Sequence, residues 1–288
     1  MEYLKRGLKD TFNSIRKHKT LFISLIILEA FFIVLSLYIT AHYQLSILED
    51  AKKIIEPFGS MNFDARSITA DNFNEILSSE DVYSVYTSYK SMLKNVEKLA
   101  GSLLFLFIFM NGGLWILSSW LLEKHLNWKQ NLKKLWKPWC KITTASLVLI
   151  APFLVLMYYL IIFVLRIQGN SSTDYVSLLI KSLPYISLIL YYFLIAAFAL
   201  AKEDSWRLYL KSLLKVSIFK IHKCLLVLLI NATFIAAGLS LIYLSAGYLS
   251  SSFISLLLLL SAGLFFLMIL AATRIFWIAC LSGLAEEK

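Results

Sequence analysis

The chain has 288 residues, 59% hydrophobic and 16% charged, with a formal net charge of +10 and a mean hydropathy of +0.72. Soluble domains run about 45–50% apolar and about 25% charged. The apolar excess is gathered into nearly uncharged stretches, which excludes a secreted disulfide scaffold, a disordered chain and an ordinary cytosolic enzyme. A polytopic, all-α membrane protein remains.

A hydrocarbon layer about 30 Å thick needs about 20 apolar helical residues. The first stretch to meet that requirement is Leu21–Tyr43, behind a basic segment at 3–20. Its apolar run, about 23 residues, is too long for the core of a cleaved signal peptide, so it reads as an uncleaved first span. Residues 44–100 then form the one long soluble connection. Helix is expected to continue through 44–56, broken by Pro57–Gly59, and again through 83–100, with Asp71 capping a short helix between them. Leu45, Leu48, Ile55, Tyr86, Met92, Leu93 and Val96 are the apolar positions of the resulting helical hairpin stalk. Tyr83, Tyr86 and Tyr89 are expected to pack within that stalk.

The second span is Gly101–Leu122, followed by the basic connection 123–141 and a third span, Ile142–Leu165. The fourth, Leu178–Ala201, has Lys181 and Pro184 near its start, where a snorkelling lysine and a first-turn proline are tolerated. The basic connection 202–223 leads to Cys224–Ala246 and Ser252–Thr273. Each stretch is continuously apolar without in/out alternation, as helices rather than barrel strands require. Beyond Arg274, the run 275–284 is apolar again and reads as an interfacial or buried helix.

The charges divide unevenly. The segments 1–20, 123–141, 202–223 and the tail from Arg274 hold 20 basic and 7 acidic residues, whereas the alternate connections hold 8 and 10. The positive-inside rule therefore puts both termini in the cytoplasm, in a multi-pass cell-membrane arrangement. It also gives the high pI a topological cause, so no nucleic-acid partner is expected.

Each odd-numbered span follows a similar basic segment, YLKRGLKDTFNSIRKHKT (3–20), WKQNLKKLWKPWCK (128–141) and WRLYLKSLLKVSIFKIHK (206–223). The pairs His18–Lys19, Cys140–Lys141 and His222–Lys223 stand at one place relative to their spans. Three tandem units follow, 1–122, 123–201 and 202–288, each a basic cytoplasmic helix plus a hairpin across the membrane. In 206–223 the residues Trp206, Leu210, Leu213, Leu214, Ile218 and Ile221 recur at helical spacing opposite Arg207, Lys211, Lys215 and Lys220. Such a helix suits the interface plane and anionic headgroups. This pattern of aromatic–basic helices feeding six spans resembles the six-helix membrane domain of some glycerophosphodiester phosphodiesterases and related uncharacterised prokaryotic integral membrane families. The resemblance covers most of the chain as pattern, includes no soluble phosphodiesterase domain, and implies a fold without assigning an activity or any functional residue.

No catalytic motif is present: no His-Glu-x-x-His, no Gly-x-Ser-x-Gly and no phosphate-binding glycine loop. His18, His222, Cys140 and Cys224 are placed at one depth by the repeats, but histidines beside lysine at an interface are ordinarily solvated, so no metal or cofactor is assigned. The three cysteines at 140, 224 and 280 are expected to be reduced thiols. Polar residues held in lipid are the remaining clue, since an ionisable group there costs about 2.5–3.5 kcal/mol even on lenient scales. These are Glu29 in the first span, Asn111 in the second and Asn231 in the fifth, with Arg274 at the end of the sixth. Arg274 is expected to snorkel to headgroups, with pairing to Glu29 as the other option. Small residues at 112–113, 237–238 and 262–263 are expected to let helices approach.

The expected function is that of a non-catalytic scaffold or accessory subunit, docking partners on its basic cytoplasmic helices or outer stalk. The alternative is a permease-like transporter of a small solute or lipid, with a polar cavity near Glu29. An intramembrane enzyme is disfavoured, because no acid–base or nucleophile set can be assembled.

Overall fold

The computed structural model describes residues 2–59, 79–123, 135–166, 173–203, 205–247 and 253–287. The expected Asp71-capped helix lies outside them. Every regular element among the described residues is helical. In order these are α1 (Glu2–Lys17), α2 (Lys19–Gly59), α3 (Ser79–Leu106), a π-helical turn (Phe107–Asn111) and α4 (Gly112–Leu121). Then come α5 (Trp136–Arg166), α6 (Thr173–Ala199), α7 (Trp206–Leu214), a second π-helical turn (Lys215–Phe219), α8 (Ile221–Gly247) and α9 (Phe253–Glu286). Six of these helical stretches are long and apolar enough to cross a membrane.

The chain divides into two units, residues 1–30 with 110–288, and residues 31–109. In the larger one, α9 is the hub. It packs against α1, α4, α6 and α8, while α5 packs against α6 and α4. The buried core is concentrated beside the basic segments: Leu25, Leu114, Leu121, Ile142, Ala196, Val216 and Val227 are almost wholly covered. Away from it the helices are apolar all round. Leu256, Leu257 and Leu258 are consecutive residues of α9 and all half-exposed. A helix apolar on every face needs a non-aqueous surround.

One expectation about a helix end changes: Pro184 lies well inside α6, which begins at Thr173, so it is not a first-turn proline. Beyond Arg274 the run 275–284 is a buried helix, one of the two forms expected. Helix α9 is a single element of 34 residues, and its final three turns, with Ile275, Trp277, Cys280, Leu281 and Leu284, are core. Helix α7 starts where expected for a local reason: Ser205 is extended and its side chain accepts the Leu208 N–H at 3.2 Å, an N-cap.

The smaller unit contains a hairpin made from the rest of α2 and most of α3. Helix α2 is 41 residues long, about 60 Å at 1.5 Å per residue; it passes through Pro57 and ends at Gly59. Along 43–56 of α2 the covered or half-covered positions are Tyr43, Ser46, Ile47, Asp50, Ala51 and Ile54, and along 83–100 of α3 they are Val85, Ser88, Met92, Asn95 and Leu99. Both sets recur at intervals of three and four, as in a coiled-coil seam. Asn95 Nδ2 donates to Asp50 Oδ2 across it at 3.0 Å. Most of the stalk positions expected to pack, including Leu45, Leu48, Ile55, Tyr86 and Leu93, are exposed instead, as are Tyr83 and Tyr89.

Candidate functional site

The polar residues singled out in the spans are only partly brought together. Glu29 stands on α2, one turn beyond fully buried Leu25, and Arg274 stands on α9, one turn beyond Ala271. Arg274 Nη1 donates to Glu29 Oε2 at 2.7 Å and Nη2 donates to Oε1 at 2.9 Å. This is a two-pronged guanidinium–carboxylate pair, the arrangement that matches both planes and satisfies both oxygens. The side chains are only 5% and 11% exposed for Glu29 and Arg274. The guanidinium carbon also lies 5.7 Å from the centroid of the Trp115 ring on α4, within cation–π range. Arg274 therefore does not snorkel. Helix continues past it into packed core, and the acid of the first span takes the place of a headgroup.

The asparagines do not join the pair. Asn231 is buried on α8, with its Oδ1 lacking a hydrogen-bond partner among the described residues. Asn111 is half-buried at the end of the first π-helical turn and makes no side-chain cap to α4. Two of the small-residue sites do permit close approach. A Cβ at Gly112 would stand 3.1 Å from Ile142, and one at Gly238 would stand 2.9 Å from Phe266. Gly263 has nothing within 4 Å, so the expectation of close packing at 262–263 fails there.

The basic segments contribute a network that their composition concealed. Lys141, counted by sequence among solvated interfacial lysines, is 1% exposed. Its ammonium donates to the Glu203 carbonyl and lies 5.4 Å from the Tyr209 ring and 6.0 Å from the Trp206 ring. Lys215 Nζ donates to the Ala285 carbonyl at 2.9 Å and Lys220 Nζ to the Leu284 carbonyl at 2.9 Å. These carbonyls close α9, and helix C-termini attract cations because their last carbonyls lack intrahelical donors. Lys220 and Lys223 also donate to Glu287 Oε2, at 3.2 and 2.7 Å. These bonds, Lys223 first, hold the Glu287 carboxyl below its ordinary range. Arg6 of α1 meets Glu286 at 3.6 Å, so the first helix and the end of the last lie together.

A cavity of about 850 Å³ opens among α1, α9 and the ends of α4 and α6. Asp10, Glu123, Glu203 and Glu286 line it together with His18 and Lys202. Neither Glu29 nor Arg274 reaches it. Among the described residues, no three His, Cys, Asp or Glu side chains converge as metal ligands. His18, His222, Cys140 and Cys224 are thus not gathered into a site, and the three cysteines are free thiols. Comparison with protein-family models, with curated proteins and with solved structures returns no match.

Proposed function

We propose that this chain is a non-catalytic integral membrane protein acting as a scaffold or accessory subunit, with its basic end in the cytoplasm and the α2–α3 hairpin outside. One observation carries the choice over transport: the intramembrane acid is already consumed. Glu29 is closed off against Arg274 in a doubly bonded pair beside the Trp115 ring, and neither residue lines the cavity between α1 and α9. A permease working through Glu29 would need that carboxylate free to meet solute or proton.

Orientation rests on the charge asymmetry, with both termini in the cytoplasm of a cell membrane. The tandem-unit organisation gains support from a repeated contact. Lys141 precedes the third span and lies 6.0 Å from the ring of Trp206, the first residue of the next basic segment, while Lys223 precedes the fifth and lies 5.7 Å from the ring of Tyr3, the first residue of the first. Anionic lipid is the proposed surface partner. Trp206, Leu210, Leu214 and Ile218 stay exposed on one side of α7 and its continuation, as an interfacial helix needs. With Lys215 and Lys220 engaged at the end of α9, Arg207 and Lys211 remain for headgroups. The similarity to phosphodiesterase-linked membrane domains is proposed for the fold alone.

The test is purification of the full chain in mild detergent, with identification of co-purifying proteins and lipids, beside flux measurements in liposomes. Retention of a partner protein by both wild type and Glu29→Gln is expected. Solute flux that disappears with Glu29→Gln, in a variant that remains folded, would replace the scaffold with a transporter.

A further inference from the structure

We infer that the outer hairpin pairs with the hairpin of a second copy of this chain, forming a four-helix stalk around a two-fold axis. The inference rests on the docking role proposed above and names the partner. It starts from the apolar positions that the hairpin leaves uncovered. On α2 the exposed stripe is Leu45, Leu48, Lys52 and Ile55; on α3 it is Tyr86, Tyr89, Leu93 and Val96. Each is spaced three, four, three, the interval of a second coiled-coil seam beside the one already used. The exposures are large for a segment also bearing Glu49, Lys53, Lys90 and Lys94: Leu48 is 58% exposed, Tyr86 61% and Leu93 43%. Those charges keep this part of the hairpin out of hydrocarbon, so lipid does not explain the apolar stripes. Contiguous apolar surface on a soluble segment marks an interaction site.

The partner follows from the fit between the two stripes. At about 100° per residue, the α2 stripe lies about 150° round from its covered seam and the α3 stripe about 100° round. Because the helices run antiparallel, these rotations turn both stripes to the same face of the hairpin. A two-fold axis through that face sets α2 against α3 of the other copy, again antiparallel, and repeats the contact on the other side. In that register Leu48 meets Leu93 of the partner subunit and Ile55 meets Tyr86 of the partner subunit, with Leu45 at the outer edge of the contact near Val96 of the partner subunit. The remaining layer brings Lys52 to Tyr89 of the partner subunit, a cation–π contact. Glu49, flanking one stripe, comes within a turn of Lys90 of the partner subunit, flanking the other, an opposite-charge pair at the edge of the contact. A lone lysine in an apolar seam costs stability and selects register.

The full-length chain provides the test. Leu48→Cys and Leu93→Cys chains with different tags are co-expressed in membranes and oxidised, beside Lys53→Cys with Thr87→Cys, whose positions lie at matching level on the opposite face. A disulfide-linked mixed dimer is expected for the first pair and not for the second; linkage of both or of neither overturns the proposal. In a second arm, Leu48→Asp/Leu93→Asp is expected to turn a dimeric detergent-solubilised chain into a monomer with unchanged helicity and thermal unfolding. These positions are exposed, so the variant has no reason to misfold. A monomeric wild type, or a dimer that survives the substitutions, overturns self-association. If a different protein co-purifies with a monomeric wild type and is lost in that variant, the stalk still docks a partner but not a second copy. If neither dimer nor partner is found, the docking role of the stalk falls too.

Discussion

Arg274 grips Glu29 through both guanidinium nitrogens, at 2.7 and 2.9 Å, across 245 residues of sequence. The pair ties the first span-length helix to the last, and Trp115 of α4 completes a three-helix clamp. Removing one partner of a buried pair leaves an uncompensated charge and costs about 3–5 kcal/mol, whereas replacing both with well-packed apolar residues is often neutral or better. Glu29→Leu is therefore expected to lower the thermal stability of the detergent-solubilised protein sharply, because the stranded guanidinium cannot shed its charge, and Arg274→Met similarly or less. The double variant Glu29→Leu/Arg274→Met should recover most of the loss. A double variant as damaged as the sum of the singles would mean that the two side chains act independently.

Lys141 should behave as a structural cation. It has lost nearly all solvent and donates to the Glu203 carbonyl beside the Tyr209 and Trp206 rings. A hydrogen bond to a charged group contributes about 1.5–3 kcal/mol, and a desolvated cation–π contact adds about 2 kcal/mol or less. Lys141→Met keeps the length of the side chain and loses both. It is expected to destabilise by at least about 2 kcal/mol, whereas Lys137→Met, at an exposed position of the same helix, should change little. Equal, small effects on the denaturation midpoint would refute the assignment.

These two cases show where the sequence was legible. Span number followed from apolar length, because the hydrocarbon thickness leaves little choice. The covered seam of the hairpin did not follow. Leu45, Leu48, Lys52 and Ile55 recur at helical spacing and are about as apolar as Tyr43, Ile47, Asp50 and Ile54, yet only the second set is covered, with the Asp50–Asn95 hydrogen bond across it. Hydrophobicity ranks faces without knowing how many of them find a partner. Glu29 and Arg274 were both identified and helix was expected beyond Arg274, but the choice between headgroups and Glu29 depends on how the first and last span-length helices pack, which local sequence does not carry. Lys141, Lys215 and Lys220 were hidden for a related reason: a lysine that caps another helix has the same local sequence as one that faces lipid. The π-helical turn at Lys215–Phe219 also displaces the wheel on which the 206–223 stripe was read.

Tyr209 provides an opposite sign of effect. It is 2% exposed and its hydroxyl has no hydrogen-bond partner among the described residues. Burial pushes its pKa up to about 12. A buried hydroxyl without a partner costs about 1–3 kcal/mol in desolvation. Tyr209→Phe removes that oxygen and keeps the ring beside Lys141, so it is expected to be neutral or stabilising, while Tyr209→Ala opens a cavity and should cost about 3–5 kcal/mol. A marked loss of thermal stability in the phenylalanine variant would show that the hydroxyl is in fact bonded.

The Glu287 contacts make a pH-dependent prediction. Hydrogen bonds from Lys223 and then Lys220 depress its pKa below the ordinary 4.5. A depressed carboxyl pKa means that the unfolded chain binds the proton more readily, so the contribution is complete above the ordinary value. It is lost as pH falls through the lower, folded one. The carboxylate is about half exposed, so the effect should be small and screened by salt. Between neutral pH and acid, wild type should lose a little more stability than Glu287→Gln. Parallel melting curves for the two at every pH would remove the carboxylate from the account of how α9 is held.

Gly7 tests the contact between the first helix and the last. A Cβ there would stand 2.4 Å from Cys280 Sγ, 3.4 Å from Phe276 Cε2 and 3.5 Å from the Cys280 backbone nitrogen. Alanine is favoured over glycine in a helix by about 1 kcal/mol, so a free helix would gain from the exchange. Here the sulfur must move within a packed site, and overpacking costs about 1–3 kcal/mol. Gly7→Ala is therefore expected to destabilise or to forfeit its helix gain, and Cys280→Ala to leave a small cavity. Combined, each substitution relieves the other: the new methyl fills part of the space that the sulfur vacates, and the double variant should be more stable than the two single effects add up to. Simple additivity in a double-mutant cycle would mean that α1 does not rest on α9 at this point.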